Sequence, residues 1–152
     1  MNAPAKPLAS ASVSVLADRL RPVLLRLSRR LRREADQVGL SSLDAILLGV
    51  VGKHEGIGVS ELADKERTSR PTMSSHVKRL EAAGLLAREA PSEADRRRVG
   101  LKLTPKGTKA IEALRRRRND WLAGRLAALS PEQREAVAGA LEALSQVAGL
   151  DQ

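Results

Sequence analysis

The segment from Val59 to Thr104 constrains the fold of this 152-residue chain most, because two short helices and a hairpin follow one another in it. The second of these helices has an apolar face, on which Met73, Val77 and Leu80 recur at helical spacing. Its opposite face repeats that spacing with the polar side chains of Thr72, Ser75, His76 and Arg79. This order of elements predicts a winged helix-turn-helix in which one face of the second helix packs and the other stays free.

The chain is strongly basic and contains no cysteine. Its 27 Lys and Arg residues outnumber 18 Asp and Glu residues, and the net charge of +9 favours an acidic polymer or an anionic surface as a partner. Nucleic acid is the first expectation, although charge alone does not distinguish it from an anionic membrane. The lack of cysteine excludes disulfides, thiolate metal sites and thiol redox sensing. No apolar run approaches the roughly 20 residues that span a bilayer, so a soluble, cytoplasmic protein is predicted.

Composition and apolar spacing divide the chain into three kinds of segment. Residues 1–12 are rich in Ala, Pro and Ser and are predicted to be a disordered lead-in, whereas residues 13–152 form a single domain. Within this domain, residues 41–104 form the winged helix-turn-helix core. With no Phe, no Tyr and one Trp, this core must be aliphatic, which favours close packing of helices. The predicted fold is mainly α with a small β-wing, and long terminal helices occupy residues 13–38 and 105–149.

Proline and hydroxyl side chains predict where helices bend and begin. Pro22 predicts a kink or a break in the first helix, because a mid-helix proline loses a hydrogen bond and clashes with the preceding turn. Ser41 or Ser42 is expected to cap the second helix, and Ser60 the third. Ser130 opens a capping-box pattern, from which one last helix is predicted.

The terminal helices carry more apolar surface than the small core can cover. Because the simplest cover is a second copy of the chain, a homodimer with two-fold symmetry is predicted. The interface is expected to include Leu16, Leu20, Leu126, Leu141 and Leu144.

The polar face of the second core helix is the candidate major-groove surface. The major groove admits one helix, whose N-terminal side chains reach the base edges. Arg70, Thr72, Ser75 and His76 are therefore the base-reading candidates, and Lys78 and Arg79 are better placed for phosphates. The whole predicted set is Ser69, Arg70, Pro71, Thr72, Ser74, Ser75, His76, Lys78 and Arg79. For an isolated helix, a merely solvated polar face would be the commoner interpretation.

The polar hairpin tip at residues 91–97 adds weight to the nucleic-acid interpretation. Asp95 precedes Arg97 by two residues, so that its carboxylate can brace the guanidinium. A braced arginine loses less entropy on binding and can enter the narrow, electronegative minor groove. Arg96 and Arg98 flank it and are expected to contact phosphates. Taken alone, the same spacing would indicate only a surface salt bridge on a mobile hairpin.

Four segments, in order and spacing, resemble the multiple-antibiotic-resistance regulator (MarR) family: Ser69–Ser74, Leu80–Leu85, Asp95–Arg97 and Leu103–Gly107. The resemblance covers nearly the whole chain, and the Asp-x-Arg wing followed by Leu-Thr is its most specific part. It implies a homodimeric bacterial or archaeal winged-helix repressor of transcription. Each recognition helix would enter a major groove and each wing arginine the adjoining minor groove, at a pseudo-palindromic operator on double-stranded DNA.

The resemblance also implies that a small, often aromatic anion can release the DNA in many members. The cysteine route to oxidant sensing is closed here, and without Tyr or Phe an aromatic-lined pocket is not expected. The ligand residues stay unknown, with Trp121 and the arginines of the first helix as weak candidates. No cofactor is predicted.

An enzyme and a sequence-neutral nucleoid protein are the contrasting classes. His54 and His76 are the only histidines, and no glycine-rich phosphate loop is present, so catalysis is not expected. His54 and Glu55 lack a third metal ligand at suitable spacing, and no metal site is predicted. A nucleoid-type architectural binder would use the runs Arg29–Arg33 and Arg115–Arg118, which a specificity measurement distinguishes from a repressor's surface.

Overall fold

The computed structural model of the chain describes residues 12–89 and 99–149. The helices are α1 (Val13–Asp36), α2 (Ser42–Lys53), α3 (Val59–Lys65), α4 (Arg70–Ala82), α5 (Pro105–Ala127), α6 (Pro131–Gly139) and α7 (Leu141–Ala148). Two strands, β1 (Leu86–Arg88) and β2 (Leu101–Leu103), lie between α4 and α5 and pair antiparallel. The predicted fold class, mainly helical with a small β-wing, is confirmed.

The hydrophobic core is aliphatic and is contributed mainly by α2, α3, α4 and the hairpin. The apolar face predicted for α4 is confirmed, since Met73, Val77 and Leu80 are all buried. Helix α2 is central to the core and buries Leu47, Leu48 and Val51 completely. Full burial of side chains of this size stabilises the fold by about 1.5–3 kcal/mol each.

Side-chain caps begin most of the core helices. Ser41 caps α2 in a capping box, in which its hydroxyl accepts from the Asp44 N–H and the Asp44 carboxylate accepts from the Ser41 N–H. The predicted cap of α3 by Ser60 is wrong. The cap lies two residues earlier, at Gly58, which has no side chain to cap with, and helix α3 begins at Val59.

The hairpin is attached to the turn between α2 and α3. Ile57 pairs with Leu101, and the Leu101 N–H donates to the Ile57 carbonyl at 2.9 Å. Gly100 permits this close approach, because a Cβ there would lie 2.6 Å from the Cα of Gly56. The base of the wing is thereby fixed to the helix-turn-helix.

Two predictions about the terminal helices needed correction. Helix α1 continues through Pro22, so a break there is wrong, whereas the alternative, a kink, stays a prediction; one lost hydrogen bond does not end the helix. The single last helix is divided into α6 and α7 at Ala140, whose N–H is shared between the carbonyls of Ala136 and Val137. Gly139, a poor helix former, precedes the division.

The chain divides into two compact units, and the boundary falls within α5. The first unit ends at Leu114 and contains the core described above. The second begins at Arg115 and contains the remainder of α5 with α6 and α7. Within the second unit, the capping box predicted at Ser130 is confirmed, with Gln133 as its partner.

Candidate nucleic-acid interface

The polar face of α4 is open to solvent along the length of the helix. Ser74 and His76 are half-buried, and the other members of the predicted major-groove set are exposed: Ser69, Arg70, Pro71, Thr72, Ser75, Lys78 and Arg79. The helix begins at Arg70, with Pro71 in its first turn, where a missing N–H breaks no helical hydrogen bond. The predicted set therefore occupies the sides of α4 that the core leaves uncovered, and it extends around the helix, since Arg70 and Arg79 are nine positions, or about 180°, apart.

The hydroxyl groups near the start of α4 are already oriented by local hydrogen bonds. Ser69 caps the helix by accepting from the Thr72 N–H at 3.3 Å, and its own hydroxyl donates to the Thr72 Oγ1 at 2.7 Å. The Ser75 hydroxyl donates to the Pro71 carbonyl at 3.1 Å. In this arrangement Thr72 retains a hydroxyl proton to donate and Ser75 retains lone pairs to accept. Both kinds of group match base edges in the major groove.

Arg79, predicted to contact phosphate, is held by a carboxylate of α2. Its Nη1 donates to the Asp44 Oδ2 at 3.1 Å, and its Nη2 donates to the Asp44 Oδ1 at 2.5 Å. Asp44 is buried, and the hydrogen bond from Arg79 holds the pKa of its carboxyl below the ordinary value of 3.8. The same contact raises the pKa of the Arg79 guanidinium. The guanidinium therefore stays charged and fixed while half of the side chain remains exposed.

Sequence reasoning missed Asp44. The Ser-x-x-Asp pattern at residues 41–44 is a capping signal that could have drawn attention to it. Its pairing with Arg79, however, joins residues 35 positions apart and depends on how α2 packs against α4.

The base of the wing carries two further ion pairs. Arg88 donates from Nε and Nη2 to the carboxylate of Glu81 on α4, at 2.9 and 3.3 Å. Lys102 and Glu89 face each other across the strands at 3.6 Å. The wing-tip residues predicted to bind DNA, Asp95, Arg96, Arg97 and Arg98, lie outside the described residues, so their roles stay predictions.

The leucines predicted for a dimer interface are not buried by the chain itself. Leu16 on α1 is 49% exposed and Leu141 on α7 is 59% exposed. Leu20, Leu126 and Leu144 are half-buried. Each unit, taken separately, presents large apolar side chains to solvent.

Other kinds of site find no support among the residues with described positions. Within the described ranges, no cluster of three His, Cys, Asp or Glu side chains could hold a metal ion. Nor does any helix there combine the length and apolarity needed to cross a membrane.

Comparison with known proteins identifies the group to which this arrangement belongs. Residues 38–98 match the sequence model of the MarR family. An uncharacterized HTH-type transcriptional regulator of Mycobacterium bovis is 33% identical over 129 residues, which are 84% of this chain and 88% of that protein. This relative is a regulator rather than an enzyme, in agreement with the expectation from sequence.

Solved structures show the same fold. Rv1404 from Mycobacterium tuberculosis superposes with a TM-score of 0.80 at 23% identity, covering 93% of this chain and 97% of that one. The F27L mutant of Staphylococcus aureus MepR, solved bound to an oligodeoxyribonucleotide, superposes with a TM-score of 0.66 at 23% identity, covering 90% and 98%. The chain therefore belongs to the MarR family of winged helix-turn-helix transcriptional regulators.

Proposed function

We propose that this chain is a sequence-specific DNA-binding repressor that acts as a homodimer on a pseudo-palindromic operator. The observation that carries the proposal is the division of α4 into two faces. Its apolar face is wholly buried, while its polar face is exposed and basic from Arg70 to Arg79. A helix that is both rigidly seated and free on one side meets the geometric requirement for insertion into a major groove.

The side chains on this face fit the roles of base reading and phosphate binding. Arg70 stands at the first helical position and suits the two acceptors of guanine, whereas Thr72 and Ser75 suit single donor or acceptor groups. Lys78, further along the helix, suits a phosphate. Within the part of the chain that the structure describes, Arg70 and Lys78 have no ion-pair partner of their own. Groups that suit base edges therefore lie on the same helix as a cation that suits phosphate, and this combination favours DNA over the substrate of an enzyme.

A dimer is supported by the exposed apolar side chains of the terminal helices. Val13, Leu16 and Leu24 on α1, and Leu141 and Val147 on α7, are each at least 41% exposed. Each of these helices exposes several large apolar side chains, and such exposure is typical of a surface that a partner covers. Because a two-fold dimer presents two copies of α4, its operator should contain two inverted half-sites separated by about one helical turn of DNA.

Selection of bound duplexes from a random pool tests the proposal. We expect enrichment of one inverted repeat, and we expect the protein to block transcription in vitro when that repeat overlaps a promoter. A pool that remains random after selection would overturn sequence specificity and favour the alternative, a sequence-neutral nucleoid-type binder. The DNA-bound MepR mutant supports DNA as the partner for the fold but leaves the operator of this chain to be found.

The wing enters the proposal through Arg97, which we propose inserts into the minor groove with Asp95 as its brace. Arg97→Ala should weaken operator binding by roughly 1–3 kcal/mol and leave the dimer folded. Unchanged affinity in a binding titration would contradict this assignment.

We also propose release of the operator by a small anionic effector, supported by the family membership and by the basic surface of α1. Trp121 is the only tryptophan and reports binding by its fluorescence. Titration with benzoate, as a probe for aromatic anions, should quench this fluorescence and lower the affinity for the operator. If neither changes, the aromatic-anion effector is rejected and the repressor proposal stands.

A further inference from the structure

The ion pair between Arg79 and Asp44 joins the proposed DNA-reading face of α4 to a buried carboxylate at the start of α2. Asp44 is only 6% exposed, and a carboxylate that is buried must be paired and hydrogen-bonded to remain charged. Its Oδ2 accepts from two groups, the Ser41 N–H at 3.3 Å and the Arg79 Nη1 at 3.1 Å. Its Oδ1 accepts from the Arg79 Nη2. One carboxylate therefore ties the beginning of α2 to the recognition helix.

The Arg79 side chain is more exposed than an ion pair with a buried carboxylate requires. Its side chain is 52% exposed, while that of Asp44 is 9% exposed. A guanidinium has five N–H donors, and the pair with Asp44 uses two of them. The remaining three are available on the side chain of a residue that shares the polar face of α4 with Thr72, Ser75 and His76.

We propose that Asp44 is a positioning residue that holds Arg79 in place to donate to a DNA phosphate beside the major groove. The inference rests on the proposed function and deepens it. Asp44 does not touch DNA; it fixes the guanidinium before DNA arrives, so that fewer rotamers are lost on binding. Because the same carboxylate caps α2, it also fixes the inclination of α4 relative to the start of α2.

The direction in which a charge-neutralising substitution changes the affinity for DNA distinguishes positioning from simple electrostatics. Asp44→Asn removes a negative charge that lies beneath the proposed DNA-binding surface, and simple electrostatics predicts tighter binding. Loss of positioning predicts weaker binding. Glu81→Gln is the matched control, because Glu81 lies on the same helix, accepts two hydrogen bonds from Arg88 at 2.9 and 3.3 Å, and loses the same charge.

The experiment measures the fluorescence anisotropy of the selected duplex over a series of salt concentrations. It uses the full-length wild-type protein, Asp44→Asn, Arg79→Gln, the double variant and Glu81→Gln. Thermal unfolding of each protein shows that it is folded at the measuring temperature. The double variant is needed because Arg79→Gln alone leaves a buried carboxylate unpaired, and Asp44→Asn removes that charge.

We expect Asp44→Asn to weaken binding about threefold to tenfold and Glu81→Gln to leave it equal or tighter. Arg79→Gln should weaken it further and make the slope of log K against log salt shallower by about 1.8 per dimer, since each lost phosphate contact contributes about 0.9. In the Arg79→Gln background, Asp44→Asn should no longer weaken binding and, like Glu81→Gln, should leave it equal or tighter. That pattern would separate positioning from a general loss of stability.

Two outcomes overturn the inference, and they differ from failure of the proposed function. If Asp44→Asn binds as tightly as Glu81→Gln, the ion pair is structural only. If Asp44→Asn weakens binding equally in the presence and absence of Arg79, its effect does not pass through the guanidinium. A wild-type protein that binds no duplex would instead reject the proposed function and, with it, any role of Asp44 in DNA binding.

Discussion

The helix-turn-helix core uses its apolar residues in the opposite way to the terminal helices α1, α6 and α7. Helices α2, α3 and α4 bury their aliphatic side chains within the core, whereas none of the described residues of α6 and α7 is buried. On α1 the only buried residues are Glu34 and Ala35, and leucines such as Leu16 are exposed. The core is therefore specified within one chain. We propose that the exposed terminal helices specify association, and each of the following measurements tests this difference between the two regions.

The largest effect is expected where the apolar surface of the terminal helices is charged. Leu141→Glu would place two carboxylates in the proposed dimer interface, and an unsatisfied buried polar group costs about 1–3 kcal/mol, hence roughly 2–6 kcal/mol per dimer. Sedimentation should show monomers at micromolar concentration. Gln146→Glu is the control, since it makes the same charge change at a position about 140° away around the helix. If Leu141→Glu and Gln146→Glu gave the same proportion of monomers, the proposed interface at Leu141 would be contradicted.

A cavity in the core should behave differently. Leu47 is completely buried, and Leu47→Ala should lower the free energy of unfolding by about 2–5 kcal/mol. The dimer dissociation constant of the folded protein should not change, because Leu47 belongs to the core cluster. Denaturant unfolding and sedimentation measure the two quantities. A large change in dimer affinity would show that the core and the association surface are not separate.

The two capping boxes, at the starts of α2 and α6, compare the core with a terminal helix through smaller changes in stability. Ser41→Ala should cost about 1–2 kcal/mol of stability, since this cap is partly buried and linked to Asp44. Ser130→Ala should cost about 0.5–1 kcal/mol, because its cap is exposed. Thermal unfolding of both variants shows which substitution costs more stability. A greater cost at Ser130 would mean that α6 is more tightly integrated than its exposure indicates.

The smallest effect concerns acid. The hydrogen bond from Arg79 lowers the pKa of Asp44 from 3.8, and such a carboxyl contributes stability that is complete above its unfolded pKa and lost as pH falls through its folded pKa. The difference in unfolding free energy between the wild type and Asp44→Asn should therefore be constant near neutral pH. It should shrink once pH falls below about 3.8, the ordinary value. A difference that stays constant into strong acid would contradict the pairing.

Local patterns in the sequence were sufficient for much of this architecture. The apolar spacing of α4 and the capping box at Ser130 each depend on residues a few positions apart, and both are confirmed. The Asp44–Arg79 pair was not predictable, because it depends on packing between distant helices. The intact α1 at Pro22 also escaped prediction, because the rest of a long helix outweighs one missing hydrogen bond.

The site follows the same division. Helical periodicity identified the polar face of α4, on which Thr72, Ser75 and Arg79 are exposed and His76 is half-buried. It could not show that the Ser75 hydroxyl is already engaged with the Pro71 carbonyl, or that Arg79 is braced from α2. These orientations arise from backbone geometry and tertiary packing, which a one-dimensional pattern does not contain.

The affinity of Arg70→Ala for the selected duplex and for a scrambled one tests the central claim most directly. The wild type should prefer the selected duplex by about a thousandfold or more. Arg70→Ala should lose about 1–3 kcal/mol on the selected duplex and much less on the scrambled one. Arg26→Ala, which removes the same charge from α1, should affect both duplexes alike. A wild-type preference near one, or equal losses on both duplexes for Arg70→Ala, would contradict the claim that the exposed face of α4 reads sequence.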